Sequence, residues 1–219
     1  MCTCGRKPFH PERRAAWSEH FFAWAWSRAT TPLEKSYGRI KDKLFADLSG
    51  EVVEIGPGAG INFRHFPAGV HVRGVEPNPF MHPYLKAAAE ESGLTLSLDG
   101  GHAEEIHLPD ASVDAVVSTL VLCSVYQPEL ALSEIHRVLK PGGKFYFIEH
   151  VAATPGSLMR RAQDFLAPAW RKIGDGCNPN RDTASLLRAA GFGAVSIEER
   201  HIKNPFIIVA PHILGTATK

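Results

Sequence analysis

The sequence predicts an α/β fold: a doubly wound, mainly parallel sheet with helices on both faces and a helical cap at the amino end. Seven short β-rich segments follow residue 50, and helical stretches alternate with them to about residue 190. There is no second such set, no internal repeat and no low-complexity linker, so 219 residues with 44% hydrophobic and 21% charged side chains read as one well-cored domain. The 24 basic and 23 acidic side chains nearly cancel, which removes any bulk-charge argument for a nucleic-acid partner.

Between Glu12 and Ala29, Trp17, Phe21 and Trp24 recur at i, i+4 and i+7, one face of a helix that should pack on apolar surface. Pro32, in the first-turn position after Thr31, opens a second expected helix through Lys35, Ile40 and Leu44 to about Leu48, which Ser49-Gly50 ends. The β-rich segments are EVVEI (51–55), HVRGV (71–75), LTLSL (94–98), DAVVSTL (114–120), KFYFIEH (144–150), AVSIEE (194–199) and FIIVA (206–210). Phe80 to Ser92, Pro128 to Leu139 and Asp182 to Ala190 carry apolar residues at helical spacing. Gly191 and the Pro141-Gly142-Gly143 turn supply stops.

Cys2, Cys4, Cys123 and Cys177 fit no disulfide framework and are expected as reduced thiols in a cytoplasmic protein. Cys2-x-Cys4 lacks a second pair at zinc-ligand spacing, and the eleven histidines form no HExxH or paired spacing, so no metal is expected. Phe21 to Trp26 is far shorter than the ~20 apolar residues of a membrane span. The first dozen residues carry no signal-peptide pattern.

The sharpest local signal is Val52-Val53-Glu54-Ile55-Gly56-Pro57-Gly58-Ala59-Gly60, a buried strand running into a glycine-rich turn where the backbone comes close to a ligand. Glu76 ends the next strand, 20 residues beyond Gly56, where a carboxylate accepts both ribose hydroxyls of an adenosine. A dinucleotide fingerprint needs G-x-G-x-x-G, but position 61 is Ile61 and the third glycine comes one residue early. Glu54 also opposes a phosphate ligand, because like charges repel there.

The E-x-G-x-G-x-G loop resembles motif I of class I S-adenosylmethionine-dependent methyltransferases, whose Rossmann-like sheet has seven strands. GHAEEIHLPDASVDAVVSTLVL resembles that family's adenine-binding segment, which implies that His102 and Ala103 flank the base; Pro77 after Glu76 is a further expected cofactor-binding residue. The following strand then ends beside the methionine part of S-adenosyl-L-methionine at Thr119 and Leu120, and EIHRVLKPGGKFYFIEH resembles the next helix, turn and strand. TLVLCSV, FYFIEHVAA, PAW, DGCN and PHILGTATK are similar to the alkyl-thiol S-methyltransferases of the methyltransferase-like group. Those relatives carry an amino-terminal hydrophobic anchor, where this chain has an aromatic helix. The resemblance divides the single domain 1–219 into a cap or lid (1–49), a cofactor half (50–150) and an acceptor half (151–219).

Methyl transfer from a sulfonium to a small, fairly apolar thiol, such as a xenobiotic or secondary metabolite, is an in-line displacement governed by positioning. The thiolate attacks, and a free thiol with pKa near ~8.5 needs a base or a pocket that stabilises the anion. His150, at the end of the fifth expected strand, is the nominated base. Glu149 is its companion, and strand alternation points the two to opposite faces. Asp175 and Cys177 are expected to line the acceptor pocket, Cys123 to pack in the core, and Trp24 to belong to an aromatic lid over the acceptor. A C- or N-methyltransferase of quinone-precursor or phospholipid-headgroup type shares everything up to residue 150, and a non-catalytic cofactor-binding module stays open. The oligomeric state is not readable from the sequence.

Overall fold

The computed structural model describes residues 16–203 and 206–219, without the side chains of residues 29–33. The Cys2-x-Cys4 pair and the first turn of the expected amino-terminal helix lie outside that range. Among the described residues the chain runs α1 (Ala16–Leu44), β1 (Glu51–Ile55), β2 (His71–Val75), α2 (His82–Ser92), β3 (Thr95–Asp99), β4 (Val113–Thr119), α3 (Pro128–Val138), β5 (Leu139–His150), α4 (Leu158–Ile173), α5 (Thr183–Ala189), β6 (Ala194–His201) and β7 (Pro211–Thr218). The strands form one seven-stranded sheet in the order β3-β2-β1-β4-β5-β7-β6. β7 lies antiparallel between β5 and β6, and the other neighbouring strands pair parallel.

The central strands are near-continuous apolar runs because both faces of the sheet are covered. On one face Val53, Ile55, Val116 and Phe147 pack with Leu132 and Ile135 of α3 and Leu187 of α5. On the other, Val52, Val117, Tyr146 and Ile148 pack with Tyr37 of α1, Phe45 just beyond it and Leu85 of α2. Pro128 at the start of α3 and left-handed Gly93 at the end of α2 mark helix ends by the expected chemistry.

The structure corrects four expectations. The two expected amino-terminal helices are one continuous α1, which runs through Pro32. Docking of both its halves on the α/β body overrides the local break signal: Asn78 Nδ2 donates to the Glu19 carbonyl, and Phe45 is fully buried just beyond the other end. The face carrying Trp17, Phe21 and Trp24 points outward, with exposures of 76%, 61% and 47%, and α1 buries Ala23 instead. FIIVA is not a strand. Ile207–Val209 is a 3-10 turn, and the last strand is the following PHILGTAT.

Finally, α4 has no counterpart in the sequence reading. It presents little apolar surface inward, burying Gln163 and Ala167. It docks through the fully buried Gln163 amide, which donates to the carbonyls of Val151 and Ile208 and accepts from the Ala153 N–H. Among the described residues no helix is long and apolar enough to cross a membrane.

Candidate active site

The sheet order reverses between β1 and β4, and the crevice at the carboxyl ends of such strands is where open α/β sheets bind ligands. The glycine-rich loop occupies that crevice. Gly56 and Gly60 have φ of +55° and +74°, a region that disfavours side chains. A Cβ at Gly56 would sit 2.7 Å from Val121 Cγ2, and one at Gly60 would sit 2.8 Å from Ala88 Cβ. At Gly58 a Cβ would instead meet the Trp26 indole at 3.6 Å, so α1 lies over the loop.

Glu54 is 1% exposed beneath this loop. Its Oε1 accepts from Asn62 Nδ2 at 2.6 Å, and the same amide donates to Thr119 Oγ1 at 2.9 Å, tying β1 to β4. Its Oε2 is buried with no partner among the described residues. Burial pushes the carboxyl up to about 7, against the pull of the Asn62 hydrogen bond and the Lys41 charge. Lys41 is itself paired with Glu34 at 2.7 Å. Trp26, Tyr37, Glu54, Asn62, Thr119 and Leu120 line a pocket of about 60 Å³. An open groove of about 600 Å³, lined by His82, Lys86, Leu96 and Leu98, shares no residue with the glycine loop.

Glu76 follows β2 and is 7% exposed. One carboxylate oxygen accepts from the Gly58 N–H at 3.0 Å and the other from the Asn78 N–H at 2.9 Å. It thereby clamps the glycine loop to the end of β2, while burial raises its pKa. Pro77 beside it is exposed. His102 and Ala103 lie in the segment after β3 at the same sheet edge. His102 is half-buried, which lowers its pKa, and Ala103 is buried.

On the other side of the crevice the pair at the end of β5 splits as alternation requires. Glu149 is fully buried and is not among the residues that line that pocket. Its Oε1 accepts from Ser118 Oγ at 2.5 Å and the Val121 N–H at 3.2 Å, anchoring the turn in which Leu120 adopts a φ of +60°. Burial raises its pKa.

His150 is 5% exposed, with Nε2 3.0 Å from Cys177 Sγ and Nδ1 without a partner among the described residues. The Trp170 Nε1–H also points at Cys177 Sγ, at 3.0 Å. Hydrogen bonding with Cys123, aided by His150 and Trp170 and opposed by burial, pulls the Cys177 thiol down to about 5, and Cys123 is pushed well up. Asp175 stands two residues before Cys177 with a φ of +53°. Trp24 is exposed, packs on Phe21 and lies under Arg28, whereas Trp26 lines the pocket beside the glycine loop. Two residues on a helix turn about 200°, so the two indoles cannot share a face.

Several site residues escaped the sequence reading. Asn62, the lone polar side chain in Gly60-Ile61-Asn62-Phe63, was the most legible of them. Tyr37 and Lys41 sit four apart on α1, a spacing that marks a shared face without revealing that it borders the site. Tyr37 donates its hydroxyl to His212 Nε2 at 2.7 Å, while His212 Nδ1–H donates to the Ala210 carbonyl at 2.8 Å. Burial pulls His212 down to about 4, which keeps it neutral.

Cys123 is buried, as expected of a packing residue, and its turn is also held by bonds from the DGCN loop. Asn178 donates to its carbonyl through both backbone N–H and side-chain Nδ2, and Arg181 donates to the carbonyls of Leu122 and Val125. These bonds staple the DGCN loop to the Cys123 turn and bring the two cysteines together.

The central part of the chain, residues 53–147, matches a family model described as a methyltransferase domain. A solved putative methyltransferase, in complex with the Haloferax volcanii Trm112 activator, superposes with a TM-score of 0.70 at 18% identity, covering 94% of this chain and 99% of that one. It shares the fold. Thiol S-methyltransferase TMT1B of Rattus norvegicus is 39% identical over 186 residues, 84% of this chain and 76% of the relative. Thiol S-methyltransferase TMT1A of Homo sapiens is 38% identical over 212 residues, 91% of this chain and 86% of the relative. The match thus runs through the segments that hold His150 and Cys177 as well as the glycine loop, and the chain belongs to the thiol S-methyltransferase family of S-adenosylmethionine-dependent enzymes.

Proposed function

We propose that the protein transfers a methyl group from S-adenosyl-L-methionine to the thiol of a small, fairly apolar molecule. The observation that carries this reading is the extent of the relationship: identity of 38% spans 91% of the chain and so includes the acceptor half. The single domain then divides into a cap (1–49), a cofactor half (50–150) and an acceptor half (151–219).

The site fits the cofactor's chemistry. A phosphate ligand would meet two buried carboxylates, Glu54 and Glu76, whereas an amino-acid ammonium would satisfy the unpartnered Glu54 Oε2. Gly56, Gly58 and Gly60 present backbone where side chains would collide. Glu76 is assigned to the ribose, Pro77, His102 and Ala103 to the adenine, and Thr119 and Leu120 to the methionine part. When bound, the group supplies an electrophilic methyl on a sulfonium sulfur. A pocket of about 60 Å³ is too small for a nucleoside, so Trp26 and its helix move aside on binding.

On the acceptor side, activation of the thiol is assigned to the cluster of His150, Cys177 and Cys123, with Asp175 nearby. Cys123, His150 and Cys177 are all buried, so a thiolate formed beside them is poorly hydrated and stays nucleophilic. The free thiols of Cys123 and Cys177 suit a reducing, cytoplasmic setting.

Mass spectrometry of products after incubation with S-adenosyl-L-methionine and a mixed panel of small thiols, amines, phenols and quinols tests the proposal. A thiol heavier by one methyl group is the expected result. Methylation confined to amines, phenols or quinols would overturn the acceptor assignment.

A further inference from the structure

We propose that Cys123, His150 and Cys177 form a zinc site whose fourth position is open to the acceptor thiol. Cys123 Sγ, Cys177 Sγ and a ring nitrogen of His150 all lie within 4.8 Å of one another, and all three residues are buried. Tetrahedral zinc, with bonds of about 2.3 Å to sulfur and about 2.0–2.1 Å to nitrogen, sets ligand atoms about 3.5–3.8 Å apart. The contact of 3.0 Å between His150 Nε2 and Cys177 Sγ therefore opens by about half an ångström to admit the ion.

The donor set suits the metal. Two thiolates and one imidazole are soft-to-borderline ligands that favour zinc, and three protein ligands with an open position is the pattern of reactive zinc sites. The surroundings hold the ligands in place independently of any ion. His150 is fixed at the end of β5 by pairing with His212 of β7. Asn178 and Arg181 pin the two cysteine-bearing loops together, as described above, and Trp170 Nε1–H donates to Cys177 Sγ as an outer partner of the sulfur. Arg181 is a cation beside the cluster and faces Glu129 and Glu149 as well as the two cysteines, so two thiolates add negative charge that a dication neutralises.

The inference deepens the assignment of a thiol acceptor and rests on it for the role of the open position. It makes His150 a ligand and no longer a base. Binding of the dication displaces two protons from the cluster, leaving two thiolates and a neutral imidazole. An incoming thiol takes the fourth position as thiolate and releases its own proton to water, which supplies the nucleophile that the reaction needs. The sulfur keeps a lone pair to attack the methyl carbon, the carbon–sulfonium bond breaks with its electron pair going to the donor sulfur, and the thioether product vacates the position.

Zinc itself is the probe. Reduced, chelator-stripped protein carrying Cys2→Ser and Cys4→Ser, which removes the other cysteines, is titrated with zinc against a chromophoric chelator. We expect one zinc per chain, and after substitution by cobalt a thiolate-to-cobalt charge-transfer band. Further change of Cys177→Ser or Cys123→Ser should weaken binding by more than about a hundredfold, beyond the effect of losing an outer-shell partner.

Zinc binding no tighter than that of the protein lacking all four cysteines, or a cobalt spectrum without thiolate charge transfer, would overturn the site. The cobalt spectrum needs neither ligand variant to fold. Product analysis separates this inference from the reading beneath it. Thiol methylation at an unchanged rate by the stripped enzyme overturns the metal's role while leaving S-methylation intact.

Discussion

Exchange of Glu54 for glutamine probes the energetic cost of the proposed cofactor site. Burial holds the Glu54 carboxyl at about 7, against an ordinary value of 4.5. The folded chain therefore binds this proton more tightly than the unfolded chain. The stabilising share of the group is complete below about pH 4.5 and is lost as pH rises through about 7. At about 1.4 kcal/mol for each factor of ten, holding the ionised carboxylate at pH 8 costs the folded state about 3 kcal/mol. Glutamine keeps an oxygen to accept from Asn62 Nδ2 and removes the titration. The stability of Glu54→Gln relative to the parent should therefore rise by about 2–3 kcal/mol between pH 5 and pH 8. Urea unfolding of the ligand-free protein, followed by tryptophan fluorescence across that range, measures it. Cofactor affinity should fall in the same variant, since a charged partner for the ammonium is gone and hydrogen bonds to charged groups contribute about 1.5–3 kcal/mol. Parallel pH–stability curves for parent and variant would refute the premise that a buried, destabilising carboxylate is kept for a ligand.

Other substitutions test the remaining parts. Glu76→Ala should weaken cofactor binding by about 1.5–3 kcal/mol per lost charge-assisted bond, read by calorimetry, and unchanged affinity would remove Glu76 from the ribose contact. His150→Ala should lower turnover and leave cofactor affinity within about twofold, a split that separate kinetic and binding assays resolve. Gly60→Ala forces a side chain onto a φ of +74° and to 2.8 Å from Ala88 Cβ, so unfolding should become easier by about 2 kcal/mol or more. Trp26→Ala removes the indole over Gly58 and should speed cofactor association severalfold in stopped-flow fluorescence; an unchanged rate would place the opening step elsewhere.

The sequence by itself determined the α/β architecture and the position of the loop, because both depend on local information. Strand-forming runs, helix stops and the Glu54–Gly60 spacing are written within a few residues of each other, and Glu76 follows at a distance set by the short crossover from β1 to β2. What tertiary structure decided is every question of facing and of convergence. Trp24 and Trp26 carry equal apolar signal, and which of them meets the pocket depends on the roll of α1 against the glycine loop. Glu149 and His150 alternate along one strand, and only the neighbouring strands decide that Glu149 closes an inner turn while His150 turns to Cys177. FIIVA carries the apolar run that reads as strand, yet pairing with β5 made the following PHILGTAT the last strand. Cys123 and Cys177 lie 54 residues apart in sequence, with nothing in their spacing to join them. They meet because Asn178 and Arg181 bond the backbone around Cys123, contacts that exist only once the sheet has brought the loops after β4 and α4 to the same edge.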